Sequence, residues 1–172
     1  MMAALVKTIT NIKSGWMALI AILSSAAVLG GALAFQYIGG LHPCVLCMYQ
    51  RWAYVMATGF AVLAWILRKN PAVAKITLGA SSLSFFAGAA IAGFHVGVEK
   101  RWWEGTSECQ GGALDLSASV EDLTSQLMDQ PIVRCDVVPW DLFGISMAGY
   151  NIIISLVLAV VCLWTIKTSK EV

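Results

Sequence analysis

This sequence predicts an all-α integral membrane protein, a four-transmembrane-helix bundle with one long outer loop that holds a short amphipathic helix. Three observations lead there. First, 59% of the 172 residues are hydrophobic and only 12% are charged, against about 25% charged in a soluble domain. Second, the stretches 16–35, 52–67, 76–98 and 142–166 contain no Asp, Glu, Lys or Arg. Each approaches the roughly 20 residues that a bilayer span needs, and an isolated span must satisfy its backbone internally as a helix. Third, charge is segregated. Every acidic residue except Glu171 falls between Glu99 and Asp141, while Lys7, Lys13, Arg68, Lys69, Lys75, Lys167 and Lys170 flank the other helix ends. Lys and Arg near span ends mark the cytoplasmic side. Both termini and the turn from Arg68 to Lys75 are therefore expected inside, and the acidic loop outside. The net charge of +1 says little by itself; the apolar spans make the lipid bilayer the expected partner, and no nucleic acid is expected.

A short basic lead, residues 1–14, precedes the first helix, expected at about 16–37. Ala32-Leu33-Ala34 resembles a signal-peptidase site, but the apolar core is longer than the 7–15 residues of a typical signal h-region, so a retained span is expected. Gly39-Gly40 makes a tight outer turn, within a loop at about 38–42. The second helix is expected at about 43–67 with Pro43 at its first position, where proline is favoured. Asn70-Pro71 breaks the chain, and a third helix follows at about 72–98. A fourth is expected at about 142–166. Between them the loop at about 99–141 is too long to be idle in so small a bundle. In it Ser119-Val120-Glu121-Asp122 reads as a capping box. Val120, Leu123 and Leu127 lay an apolar stripe over a short acidic helix, suited to lie on the membrane surface or to pack on the end of the bundle. Trp16, Trp65, Trp102, Trp103, Trp140 and Trp164 all fall near expected helix ends, where an aromatic belt belongs.

The chemistry lies in four cysteines on the outer side. Cys44 and Cys47 form a Cys-Val-Leu-Cys motif where the second helix begins, a spacing shared by zinc, haem and redox sites. Thiolate is the reactive form of cysteine, and a helix N-terminus favours it through unpaired N–H groups and the helix dipole. Arg51 is four residues beyond Cys47 and shares its stripe, so its charge favours a thiolate or an anionic reduced acceptor. An inert staple across the turn is the alternative for this pair. Cys109 and Cys135 sit in the polar loop, with Gly111-Gly112 following the first and Pro131 preceding the second. They fit an accessible exchange pair, or a structural disulfide worth roughly 3 kcal/mol by chain entropy. A charged residue within a span is a functional candidate, although Arg51 could instead snorkel to the interface. His95, in the last turn of the third helix, lies at a similar depth. It is a candidate there beside the alternative of a hydrogen-bonded packing residue, and Gln50 could supply a hydrogen bond in the same place. Cys162, near the inner end of the fourth helix, is taken as a small hydrophobe. A four-cysteine zinc site is disfavoured by the wide spacing of the second pair and by an oxidising outer compartment, so no metal is expected.

The run Pro43-Cys44-Val45-Leu46-Cys47-Met48-Tyr49-Gln50-Arg51, and Trp140-Asp141-Leu142-Phe143-Gly144 after Cys135, resemble the DsbB family of bacterial inner-membrane disulfide bond formation proteins. The likeness extends to the four spans, the inside termini and the loop layout, nearly the whole chain as one domain over 1–172. It implies an enzyme, a quinone-dependent protein-disulfide oxidoreductase. Such an enzyme reoxidises a periplasmic DsbA-type thiol oxidase, passes the electrons to ubiquinone or menaquinone, and so sustains disulfide formation in exported proteins. Carried over, Cys109 forms the mixed disulfide with the partner and Cys135 then attacks the first pair at Cys44. Cys47 faces the quinone with Arg51 beside it. Gln50 stands where family members often carry an acid, and His95 joins the quinone site by resemblance alone. Two other classes fit the same outline. One is a non-catalytic four-span scaffold with structural disulfides. The other is a thiol oxidoreductase similar to vitamin K epoxide reductase.

Overall fold

A computed structural model describes residues 2–110 and 133–168, and these include four long helices. The expected loop helix around Ser119-Val120-Glu121-Asp122, with Gly111, Gly112 and Pro131, lies outside the described residues. Helix α1 spans Met2–Tyr37, α2 Val45–Ile66, α3 Pro71–Glu99 and α4 Met147–Thr168, with a 3₁₀ turn at Ser107–Gln110 and two-residue strands β1 (Asp141–Leu142) and β2 (Ile145–Ser146). Helix α3 lies between α2 and α4, and α1 packs mainly against α2.

Three of the helices, over Gly15–Tyr37, Pro71–Glu99 and Met147–Thr168, are long and apolar enough to cross a membrane. Four spans were expected, and α2 falls short of that standard because its first turns carry Tyr49, Gln50, Arg51, Trp52 and Tyr54. Its inward residues nevertheless form a clean stripe: Leu46, Gln50, Tyr54, Ala57, Ala61 and Ala64, at steps of three or four. Tyr54 and the three alanines meet Leu78 and Phe85 of α3, Met17, Ala18 and Ala21 of α1, and Leu158 and Ala159 of α4. Two serines of α3 bind its neighbours' backbones, Ser81 Oγ donating to the Ala57 carbonyl and Ser82 Oγ to that of Ala159, each at 2.9 Å. Where the surroundings are apolar on every side, such bonds add attraction that lipid cannot replace.

The helix ends depart from the expected limits for local reasons. Helix α1 runs back to Met2, since no proline interrupts the basic lead. Pro43 stays outside α2. Cys44 is the N-cap, with extended backbone, and its sulfur accepts the Cys47 backbone N–H at 3.2 Å. Asn70 caps α3 in the same way, with Pro71 in the first turn. Helix α3 closes with Arg101 in the left-handed region (φ 58). The Trp102 N–H returns to the Gly97 carbonyl and the Arg101 N–H to that of Val98, the bonding pattern of a Schellman motif. Trp103 then folds back along α3, stacked on Phe94 at 5.8 Å and donating Nε1–H to the Phe94 carbonyl. Gly97 makes room for it, since any Cβ there would overlap the indole.

The fourth helix was expected to begin after Asp141, and it begins five residues later. Phe143 and Gly144 both take positive φ (53 and 75), and Asp141 pairs with Ser146 and Leu142 with Ile145. That is a two-residue hairpin of the primed type, in which glycine carries the second left-handed position without penalty. Ser146 ends the hairpin and starts α4, its Oγ accepting the Gly149 N–H at 3.2 Å.

Candidate functional site

The N-terminal end of α2 gathers the sulfur chemistry. Capping puts Cys44 Sγ over the first turn, and Cys47, three residues on, points to the same side. The two free thiols lie with sulfurs 2.7 Å apart, so a disulfide can close between them with little movement. Cys44 is buried and Cys47 half-buried.

The loop pair packs directly on this turn. Cys109 and Cys135 are joined in a disulfide with Cα atoms 5.2 Å apart. Both are buried in one small cluster with Cys44, Leu46 and Val98, against which Cys47 and Val133 also pack. Tyr49 of α2 donates its hydroxyl to Glu108 Oε2 at 3.0 Å, and within the loop the Cys135 N–H reaches the Cys109 carbonyl. The four-cysteine zinc arrangement does not form, because two of the four sulfurs bond each other. Among the described residues the set Cys44, Cys47 and His95 has donor atoms within 4.8 Å of one another, three groups of the kind that bind zinc.

His95 reaches the same sulfur from α3. Its Nε2 lies 3.6 Å from Cys44 Sγ and 3.9 Å from Glu99 Oε1, and the Cys135 backbone also borders the ring. Its Nδ1 accepts from Gln50 Nε2 at 2.9 Å. Gln50 Oε1 in turn accepts from Asn151 Nδ2 of α4 at 2.5 Å. The network continues through Ser155 Oγ, 3.0 Å from Asn151 Oδ1, to the Tyr54 hydroxyl at 2.9 Å. Glu99 Oε2 accepts the Ser146 hydroxyl, also at 2.5 Å.

Arg51, one turn beyond Cys47 on α2, is half-buried and tied to α1. One guanidinium nitrogen donates to Gln36 Oε1 and another to the Ala32 carbonyl. Arg51 and Glu99 line the same cavity as Cys47. It opens between α1, α2 and α4 with a volume of about 450 Å³, within the range of small-molecule sites. Its body is apolar, with Val28, Phe35, Leu41 and Ile154 in the wall, and Cys47, Gln50, Arg51 and His95 all reach it. Trp140 closes part of the rim, 5.3 Å from Phe35 and 6.3 Å from Tyr150 between ring centroids. Outside the helices Arg134 grips both oxygens of Asp136 beside Cys135, and these hydrogen bonds hold that carboxyl below its ordinary range.

All the candidates from the sequence thus converge on one end of the bundle: Cys44, Cys47, Gln50, Arg51, His95, Cys109 and Cys135. Cys162 is buried in the main core, away from them. Asn151, Ser155, Tyr54, Gln36 and Glu99 were missed. The signal for two of them was present, since Asn151 and Ser155 are polar, one turn apart, inside an apolar helix, and polar groups within a span call for a partner.

Residues 14–165 match the family model described as disulfide bond formation protein DsbB. A disulfide bond formation protein B of Acinetobacter baumannii is 26% identical over 164 residues, covering 87% of this chain and 93% of its own. One from Methylococcus capsulatus is 32% identical over 143 residues, with 78% and 83% covered. An uncharacterized protein of Rickettsia prowazekii is 26% identical over 143 residues, with 83% and 81% covered. No solved structure matches the chain.

Proposed function

Since the chain belongs to the DsbB family of disulfide bond formation proteins, we propose that it reoxidises a periplasmic DsbA-type thiol oxidase and passes the electrons to a membrane quinone. In this reading all four helices span the inner membrane as one domain, with both termini cytoplasmic and the cysteines periplasmic. One observation carries it: the loop disulfide and the Cys44/Cys47 dithiol pack in a single cluster, and Cys47 alone of the four also faces the apolar cavity.

A thiolate of the partner attacks Cys109, forming a mixed disulfide and releasing Cys135 as thiolate. The partner's second thiol then resolves the mixed disulfide, so the partner leaves oxidised and two electrons stay on Cys109 and Cys135. Cys135 attacks Cys44 of the oxidised first pair, and Cys47 leaves as thiolate. Cys109 closes on Cys135, freeing Cys44. The net result is one disulfide exchanged for another, with the two electrons now on Cys44 and Cys47.

The cavity suits a quinone, because its wall is apolar and its polar groups gather at the end nearest Cys47. A bound quinone would supply an acceptor for two electrons and two protons. Arg51 would hold negative charge on its ring oxygens, with Gln50 and His95 near the same end, while Phe35 and Trp140 exclude water. The test is reconstitution of the full chain with a reduced soluble thiol oxidase and ubiquinone or menaquinone. One quinone reduced per disulfide formed is expected, with quinone reduction lost in Cys47→Ala. Oxidation of the partner without quinone reduction would overturn the reading, as would a chain whose four cysteines never change redox state.

A further inference from the structure

The hydrogen bonds from Tyr54 to His95 have a direction. Ser155 has one hydroxyl proton, and each amide has one donating and one accepting end. The bonds therefore run head to tail from Tyr54 O–H to Ser155, Ser155 to Asn151 Oδ1, Asn151 Nδ2 to Gln50 Oε1 and Gln50 Nε2 to His95 Nδ1. Reversing every bond would keep the same pairs, so something must select the polarity. Tyr54 is 2% exposed and its hydroxyl bonds only Ser155 among the described residues. Reversal would leave that proton buried without an acceptor, which is costly. At the far end, reversal would turn a bare Nε2 lone pair toward the acceptor Glu99 Oε1, and toward Cys44 Sγ, which has no proton to give once it is a thiolate or part of a disulfide. Both ends select the same sense.

We propose that this wire, anchored by the buried Tyr54 hydroxyl, fixes His95 in the tautomer that carries its proton on Nε2 and aims it at Cys44 Sγ. Tyr54, Ser155, Asn151 and Gln50 are then positioning residues for exchange at Cys44. When Cys44 leaves as thiolate, it does so onto two donors already in place, the Cys47 backbone N–H and His95 Nε2–H. A hydrogen bond to a charged group is stronger than one between neutral groups. The inference deepens the proposed function and rests on it only for the identity of the exchange partner.

The test is ¹⁵N NMR of the full chain in lipid nanodiscs with labelled histidine. The chain has two histidines, His42 and His95, and the His42→Gln spectrum assigns them. Wild type should show Nε2 as the protonated nitrogen of His95 and Nδ1 as the bare one. In Asn151→Asp the carboxylate has no N–H to give, so Gln50 must turn its amide and offer Oε1 to His95. The proton should then move to Nδ1. Reduction of the Cys44–Cys47 disulfide by dithiothreitol should slow roughly tenfold in that variant, the size expected for losing a hydrogen bond to a charged sulfur. Tyr54→Phe removes one of the two selecting ends and should admit a minor population protonated on Nδ1. A wild-type His95 protonated on Nδ1 overturns the proposal and needs no variant to fold. So does an unswitched Asn151→Asp, or a switched one with unchanged reduction rate. None of these readouts uses quinone or partner, so failure of the quinone assay would strike the proposed function and not the wire.

Discussion

Arg51 on α2 donates to Gln36 Oε1 on α1 at 2.5 Å, with a second bond to the Ala32 carbonyl at 3.1 Å. The cation one turn beyond Cys47 is therefore aimed by a neighbouring helix, through a planar fork that a lysine cannot reproduce. Arg51→His should raise the KM for quinone roughly tenfold or more, the scale of a lost charged hydrogen bond, with partner exchange unchanged. Arg51→Lys should be milder, and Gln36→Leu should shift KM in the same direction. Steady-state assays that vary quinone and partner separately check this, and equal quinone KM values in all three variants would dismiss the role.

The Cys44 and Cys47 sulfurs differ in surroundings, one buried against His95 and the other open to the cavity. Cys44→Ser should leave an isolated Cys47 thiolate at the cavity. Titrating the variant with quinone should then produce a visible charge-transfer band, absent in the Cys44→Ser/Cys47→Ser double variant. An unchanged spectrum in a quinone-loaded sample would count against Cys47 as the group facing the acceptor.

Cys135 is wholly buried beside the Cys44 turn, a placement suited to the inward-acting member of its pair. Cys135→Ser should trap a covalent complex between Cys109 and a soluble thiol oxidase, seen on a non-reducing gel and lost with reductant. Cys109→Ser should trap none by this route. If both single variants still reoxidise a soluble dithiol at the full rate, the loop disulfide is a staple.

Gly97 and Trp103 are matched in shape, the indole lying where a Cβ would stand. Gly97→Ala should destabilise the protein by about 1–3 kcal/mol, the usual cost of overpacking. Adding Trp103→Ala should recover much of that loss, because the two residues share one contact. Denaturation in detergent measures the cycle, and strict additivity would mean the indole does not rest on Gly97.

Asp136 is held below the ordinary carboxyl range by the Arg134 fork. A depressed folded pKa stabilises above the unfolded value, near 4, and that contribution is lost as pH falls through the depressed one. The Asp136 midpoint in a carboxyl NMR titration should rise in Arg134→Ala. Stability at neutral pH should hardly change, since exposed pairs contribute little. A midpoint that stays put would remove the pair as its cause.

Much of this was legible in the sequence because it is local. Uncharged runs located the helices, Asn70-Pro71 marked the start of α3, and the three- and four-residue spacing put Cys44, Cys47 and Arg51 on one side of α2. The family likeness then supplied roles that spacing alone left open. What the sequence did not disclose depends on partners far apart along the chain. Asn151 meets Gln50 across 101 positions, and Ser146 meets Glu99 across 47. The hairpin ahead of α4 was also hidden, since Leu142, Phe143 and Ile145 are as apolar as the helix they precede. Apolar periodicity reports which side of a helix is buried, a property of the segment itself. The polar group that meets it there is decided by how the helices cross, and only the packed bundle sets that.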